Sequence, residues 1–118
     1  TQAAAIERVL EASERIADDM GYGRGKKGSF SPKFLWASRK SFFTVRTNGD
    51  LVVNLKWHGQ PDAGERAASN RDEFLRRLQA AGFNIPEGTD YPSLEATACA
   101  ANAGALVTIV QDLFGHRP

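Results

Sequence analysis

The chain has 118 residues, of which 42% are hydrophobic and 25% are charged, and its formal net charge is +1. These values fit one globular domain over residues 1–118 and exclude a disordered chain, a collagen-like chain and a disulfide scaffold. The apolar runs are far shorter than the ~20 residues that a membrane-spanning helix needs. The single Cys99 cannot form an internal disulfide, which is typical of a reducing compartment, so we predict a cytoplasmic protein. The chain starts at Thr1 rather than at methionine, so a trimmed chain and a domain from a longer protein both stay open.

Charge is distributed unevenly along the chain. The stretch between Gly21 and Gln60 holds eight of the fifteen Lys and Arg residues and a single acid, Asp50, for a net charge of +7. Residues 1–20 and residues 61–118 each carry a net charge of −3, and seven of the eleven aromatic residues lie in the basic stretch. Such polarisation favours a polyanionic partner.

The first third of the chain predicts a helix, a basic loop and a short strand. Apolar residues recur at helical spacing over residues 2–20, and Gly21 ends this pattern. Residues 21–33 contain four glycines and one proline, which predicts a loop without regular structure. Residues 34–37 predict a short strand.

Residues 41–57 predict a central β-hairpin, because two β-prone runs flank Asn48-Gly49. A two-residue loop would place apolar and charged side chains on the same face. A three-residue, bulged loop separates them, and since a slip of one residue reverses every side chain, we predict the three-residue loop. The apolar face then carries Ser41, Phe43, Val45, Leu51, Val53, Leu55 and Trp57. The opposite face carries Lys40, Phe42, Thr44, Arg46, Val52, Asn54 and Lys56.

The second half of the chain predicts a helix, a strand and a helix. Residues 70–82 have Asn70 as an N-cap, Glu73 to complete a capping box, and Gly82-Phe83 as a Schellman-type end. Residues 93–98 predict a strand and residues 102–114 a last helix. This order predicts an α+β fold, with a small antiparallel sheet of three or four strands and three helices packed mainly on one face. The other sheet face would be free.

The free sheet face and the glycine-rich loop form the predicted functional surface. Lys and Arg around an exposed aromatic ring on a sheet are typical of proteins that neutralise phosphates and stack bases. The glycines of the loop expose backbone N–H groups that can contact anions. We therefore predict a non-enzymatic domain that binds nucleic acid, DNA or RNA, or another polyanion. The predicted contacts are Arg24, Lys26, Lys27, Lys33, Arg39, Lys40, Phe42, Arg46 and Lys56. The competing interpretation is that Phe42 is covered and the charge is scattered.

Other kinds of site have weaker support. Residues 23–28 match G-x-G-x-x-G, but the strand before and the helix after this fingerprint are not predicted here. Asp50 and Lys56 match part of a metal-dependent nuclease pattern, with Asn54 where a carboxylate is required. His58 and His116 lack ligand partners at metal-binding spacing, so we predict no metal site and no cofactor. The alternative function is a protein-interaction module with an acidic partner, or a homodimer. A hidden hydrolase or nuclease is third.

Generic hydrophobic patterns run from Ser41 to Phe114. They comprise the hairpin runs 42–45 and 51–56, Ala81-Gly82-Phe83, Ile85-Pro86, residues 94–97 and the closing helix. Over about residues 41–114 this arrangement resembles the MmcQ/YjbR family of small domains of unknown function. The resemblance implies an α+β fold and DNA binding, and no catalytic residues. The glycine-rich loop has no counterpart in that family, and the tryptophan expected near Leu94 is absent.

Overall fold

The structure is a computed structural model, and it describes residues 2–22, 29–46, 48–86 and 88–115. Its helices are α1 (Gln2–Ile16), α2 (Ala67–Ala80), α3 (Ala96–Ala101) and α4 (Ala103–Phe114). Its strands are β1 (Asp19–Tyr22), β2 (Phe30–Lys33), β3 (Phe43–Val45), β4 (Leu51–Val53) and β5 (Ser93–Leu94). Short 3-10 turns at Lys56–Gly59 and Pro61–Ala63 lie between β4 and α2. Among the helices of these described ranges, none has the length and apolar character needed to cross a bilayer. The predicted α+β fold is confirmed, with more strands and helices than expected.

The five strands form one antiparallel sheet in the order β1-β2-β3-β4-β5. In the central hairpin Val45 pairs with Leu51, so odd positions face odd positions as predicted. The N–H of Arg46 donates to the carbonyl of Asp50 at 2.8 Å, and the N–H of Gly49 donates to the carbonyl of Arg46 at 2.9 Å. Gly49 has a φ of 94°, the left-handed geometry of a bulged three-residue loop. The predicted loop length is confirmed.

Gly49 is closely packed and has a left-handed backbone conformation. We therefore expect Gly49→Ala to lower the free energy of unfolding by about 2 kcal/mol. A Cβ at this position would lie 3.0 Å from the Cβ of Ala96 and 3.3 Å from Cδ1 of Ile6. Gly88 is the matched control, because its φ is 76° and an added Cβ meets no atom within 4 Å. Gly88→Ala should therefore cost only about 1 kcal/mol, from backbone strain alone. Urea denaturation measures both, and equal costs would contradict the role of packing at Gly49.

The helices cover one face of the sheet and bury a continuous apolar core. Val9 of α1 and Phe74 of α2 belong to the same cluster as Phe43 and Val53 of the hairpin. This packing confirms that the apolar hairpin face is the core face. The last helix, predicted over residues 102–114, also packs into this core through the buried residues Leu106, Ile109, Val110, Leu113 and Phe114.

The C-terminal end of α2 follows the predicted Schellman geometry. Phe83 N–H donates to the Leu78 carbonyl at 3.1 Å, and Gly82 N–H donates to the Gln79 carbonyl at 3.0 Å. Gly82 has a φ of 99°, which glycine adopts without steric cost. Both Phe83 and Leu78 are buried, so the helix end is also fixed by packing.

The N-terminal end of α2 was predicted wrongly. The helix begins at Ala67, and Asn70 lies inside it, where its Nδ2 donates to the Arg66 carbonyl at 2.9 Å. The Glu73 carboxylate accepts a hydrogen bond from Arg77 at 2.9 Å, so no capping box forms. Ala67 is 0% exposed, and its burial favours the extra helical turn.

The region between the first helix and the hairpin differs most from the prediction. Helix α1 ends at Ile16, and the Asp18 N–H donates to the Lys33 carbonyl at 2.9 Å. Sheet hydrogen bonds therefore replace helical ones from Asp18 onward. Strand β1 includes the end of the predicted helix and the start of the predicted loop, and β2 includes the end of that loop. Phe30 and Pro32 are buried while their neighbours in β2 are half-buried, an alternation that the surrounding glycines and the proline concealed.

Two of the predicted strands are also corrected. Residues 34–37 form a turn, in which the N–H groups of Ala37 and Ser38 both donate to the Phe34 carbonyl, at 2.9 and 3.1 Å. The strand predicted over 93–98 is limited to β5, after which α3 begins. The small residues of α3 favour a helix over a strand.

Candidate nucleic-acid interface

The antiparallel register gives the sheet two ends with different residues. Tyr22, Phe30 and Val45 are neighbours at one end, from which the loop of residues 47–49 continues. We call this the tip end. Asp19 and Lys33 pair at the other end, the base end. Along β2 the two ends are about 10 Å apart, since a strand rises ~3.3 Å per residue.

The tip end holds Arg46, whose side chain is exposed. Residues 23–28, with the predicted contacts Arg24, Lys26 and Lys27, lie outside the described residues. The chain joins them to Tyr22 and Ser29, which end β1 and precede β2 at the tip end. The segment with the densest positive charge is therefore attached at the same end of the sheet as Arg46.

The other predicted cations lie toward the base end, and two of them form ion pairs with acids. Lys40 forms an ion pair with Asp62 at 3.0 Å, and Lys56 forms one with Asp90 at 3.9 Å. Lys33 and Asp19, both within the described ranges, are backbone register partners with no ion pair between them. The hydrogen bond from Lys40 holds the pKa of the Asp62 carboxyl below its usual value. Arg39 is exposed. Acids from the second half of the chain therefore offset part of the charge at this end, and the predicted cations divide between two ends.

Phe42 does not lie on the free sheet face, and its prediction as an exposed contact is wrong. Its side chain is 1% exposed. The ring stacks on His58 with centroids 4.1 Å apart and packs against Phe114 at 4.7 Å. Because β3 begins only at Phe43, strand alternation does not extend to Phe42, and two successive phenylalanines enter the core.

A buried Ser38–His58 pair, which sequence reasoning missed, supports this packing. Nε2 of His58 lies 3.2 Å from the Ser41 carbonyl, which can only accept, so Nε2 carries the proton. Nδ1 then accepts from the Ser38 hydroxyl at 2.8 Å. Burial, opposed in part by the Ser41 carbonyl, lowers the pKa of His58 to about 4. The ring is neutral at pH 7, so it contributes no charge to anion binding.

The free sheet face is polar and partly hydrogen-bonded within itself. Ser31 and Thr44 share a hydroxyl–hydroxyl hydrogen bond of 2.7 Å across β2 and β3, and Asn54 Nδ2 donates to Thr44 Oγ1 at 3.3 Å. Side-chain parity predicts both Thr44 and Asn54 on this face, but Asn54 is 2% exposed and its Nδ2 also donates to the Ser41 carbonyl at 3.2 Å. Because β4 ends at Val53, strand alternation does not extend to Asn54. Ser31 is not among the residues predicted on this face, because the sequence predicts a loop where β2 forms. Ser31, Thr44 and Val52 are half-buried on this face, and the exposed Arg46 follows Thr44 by two positions.

The acids of the site do not assemble a metal centre. Asp50 Oδ1 accepts from the Ala96 N–H at 2.9 Å, and Asp50 Oδ2 accepts from Asn48 Nδ2 at 3.1 Å. This carboxylate therefore connects the hairpin loop to the start of α3. Within residues 2–22, 29–46, 48–86 and 88–115, no group of three or more His, Cys, Asp or Glu is placed to hold a metal ion.

Comparison with known proteins gives this chain no relative: no family model, no curated protein and no solved structure matches it. The resemblance to the MmcQ/YjbR family stays a prediction.

Proposed function

We propose that this domain binds nucleic acid, DNA or RNA, without catalysis, through phosphate contacts at the tip end of the sheet. The observation that supports this function is that Arg46 lies at the same end of the sheet as Tyr22 and Ser29, the residues that flank the 23–28 segment. Arg24, Lys26, Lys27 and Arg46 then act together. The paired cations Lys40 and Lys56 contribute less, since the neighbouring carboxylates of Asp62 and Asp90 offset their charge and repel phosphate.

The sugar–phosphate backbone of a nucleic acid suits both the cations and the hydroxyl groups of this surface. Lys and Arg release condensed counterions when they contact phosphates, which supplies sequence-independent affinity. The hydroxyls of Ser31 and Thr44 are half-buried on the free sheet face and can hydrogen-bond to phosphate and sugar oxygens. With Phe42 in the core, charge and hydrogen bonding carry the contact rather than base stacking on the hairpin.

We expect a fluorescent 20-base-pair duplex to bind with a slope of log affinity against log salt near about −4, one counterion for each tip cation. The variant Lys26→Gln/Lys27→Gln/Arg46→Gln should reduce the slope to about −1 and weaken binding at least roughly tenfold at about 50 mM salt. Lys56→Gln is the matched control. Its Nζ lies 3.9 Å from Asp90, so its loss should change affinity less than about twofold. Fluorescence anisotropy gives both quantities.

Two results would contradict the proposal. One is no binding of duplex or single-stranded oligonucleotides at about 50 mM salt. The other is an equal loss of affinity in the triple variant and in Lys56→Gln. If binding is absent and light scattering shows a dimer, the homodimer alternative replaces the proposal.

A further inference from the structure

A polar cleft lies toward the base end of the sheet, away from the end that holds Arg46. Its volume is about 230 Å³, and it separates the turn after β2 from the segment that precedes α2. The residues that give it chemical character are Leu35, Trp36, Arg39, Glu65 and Arg66. The two arginines are 27 positions apart in the chain, and no sequence motif connects them.

The walls of this cleft are fixed by hydrogen bonds. The N–H of Arg39 donates to the Ala63 carbonyl at 2.8 Å and joins the two walls directly. Trp36 Nε1 donates to the Phe114 carbonyl at 3.2 Å, which holds the indole against the end of α4. The buried Ser38–His58 pair lies behind the same wall. A ligand would therefore meet a preformed shape.

The cleft combines apolar surface with free positive charge. Leu35 is 51% exposed, and Trp36 is half-buried. Arg39 and Arg66 are both exposed, and neither makes an ion pair with a carboxylate of the described residues. Glu65 is the acid among the lining residues.

Two acids on neighbouring segments of the chain already have partners. Asp18 Oδ2 accepts from the Leu35 N–H at 2.7 Å. Asp62 is bound to Lys40 at 3.0 Å. Among the described residues, Glu65 forms no ion pair with Arg39 or Arg66. Both guanidinium groups are therefore left for an external anion, and their planar forks match phosphate oxygens in bidentate geometry.

We propose that this cleft binds a nucleoside phosphate. The base packs against Leu35 and Trp36, and the phosphate lies between Arg39 and Arg66. A compact cleft of about 230 Å³ suits a single base and phosphate better than an extended acidic peptide. The proposal goes beyond nucleic-acid binding at the tip end, because it involves different residues and a free small molecule.

Trp36 provides a direct readout once the other tryptophan is replaced. In a Trp57→Phe background, Trp36 is the single tryptophan of the chain. Titration with AMP, excited at a wavelength that adenine does not absorb, should give saturable quenching with a dissociation constant of about 10 µM to 1 mM. Adenosine and inorganic phosphate should each bind at least roughly tenfold more weakly than AMP, because each makes only half of the contacts.

The arginines are tested by Arg39→Gln/Arg66→Gln in the same background. Both side chains are exposed, so the fold should persist, as thermal denaturation will verify, and AMP affinity should fall at least about tenfold. Arg46→Gln is the control, and it should leave AMP affinity unchanged while it weakens oligonucleotide binding. Absence of saturable quenching, equal affinity for adenosine and AMP, or an unchanged affinity in the double variant would overturn the nucleotide site. None of these results bears on the oligonucleotide titrations of the tip end.

Discussion

Replacing Phe42 by alanine is expected to lower the free energy of unfolding by about 3–5 kcal/mol, the usual cost of truncating a buried aromatic ring. Phe42 is 1% exposed and contacts three other rings: His58, Phe74 and Phe114. The truncation leaves a cavity where the hairpin, the 3-10 turn and two helices meet. Urea denaturation at pH 7 measures the change.

The matched control is Tyr91→Ala, which removes an aromatic ring that is 43% exposed and should cost less than about 1 kcal/mol. A second variant separates stability from binding. Phe42→Leu keeps most of the apolar volume, so the domain should stay folded and bind oligonucleotide with unchanged affinity. A small stability loss in Phe42→Ala, or weakened binding by folded Phe42→Leu, would instead indicate an exposed, ligand-contacting ring.

Features that depend on neighbouring residues could be predicted from the sequence. The hairpin register follows from the separation of apolar and polar side chains, together with a glycine at the position that needs positive φ, Gly49. The Schellman end of α2 follows from Gly82 and Phe83, which are adjacent in the chain. In each case the pattern that specifies the element lies within the element.

Features that depend on distant residues could not be predicted in the same way. Phe42 is buried by α2 and α4, which lie far along the chain. The alternation of side chains along a strand does not predict contacts with distant helices. Strand β2 was missed because Pro32 and the glycines before it favour a loop, although its apolar residues face the core. At Phe42 and in β2, tertiary packing overrides the structure that the local sequence favours.

The candidate site was only partly predictable for the same reason. A count of charge along the sequence shows the +7 stretch but not the acids that the fold brings to it. Asp62 lies 22 positions after Lys40 and Asp90 lies 34 positions after Lys56, yet both form ion pairs. These ion pairs leave Arg46 and the cations of residues 23–28 as the stronger candidates for phosphate contact.

His58 should make this domain less stable in mild acid. Its pKa is about 4 in the folded chain, mainly because burial disfavours the charged ring, against an ordinary value of 6.5. Between these two values the unfolded chain binds a proton that the folded chain does not, so stability falls as pH falls from 6.5 toward 4. The expected loss from this residue is about 2 kcal/mol between pH 7 and pH 5, and about 3 kcal/mol by pH 4.

The carboxylate of Glu73 affects stability in a lower pH range than His58 does. Hydrogen bonds from Arg76 and Arg77 lower the pKa of Glu73 to about 2, from an ordinary 4.5. Stability from such a carboxylate is lost as pH falls below that ordinary value. Measurements between pH 7 and pH 5 therefore isolate the histidine contribution from this carboxylate.

The variant His58→Phe identifies the residue responsible. It keeps a ring against Phe42 but cannot titrate, and it retains His116, so the difference between the two proteins reports His58 alone. His58→Phe loses the hydrogen bonds to Ser38 and Ser41 and should be less stable than the parent at pH 7. Its free energy of unfolding should nevertheless change by about 2 kcal/mol less between pH 7 and pH 5. Parallel pH profiles, or an NMR titration of the His58 ring near pH 6.5, would show that the ring is solvated and that the Ser38–His58 pair does not form in solution.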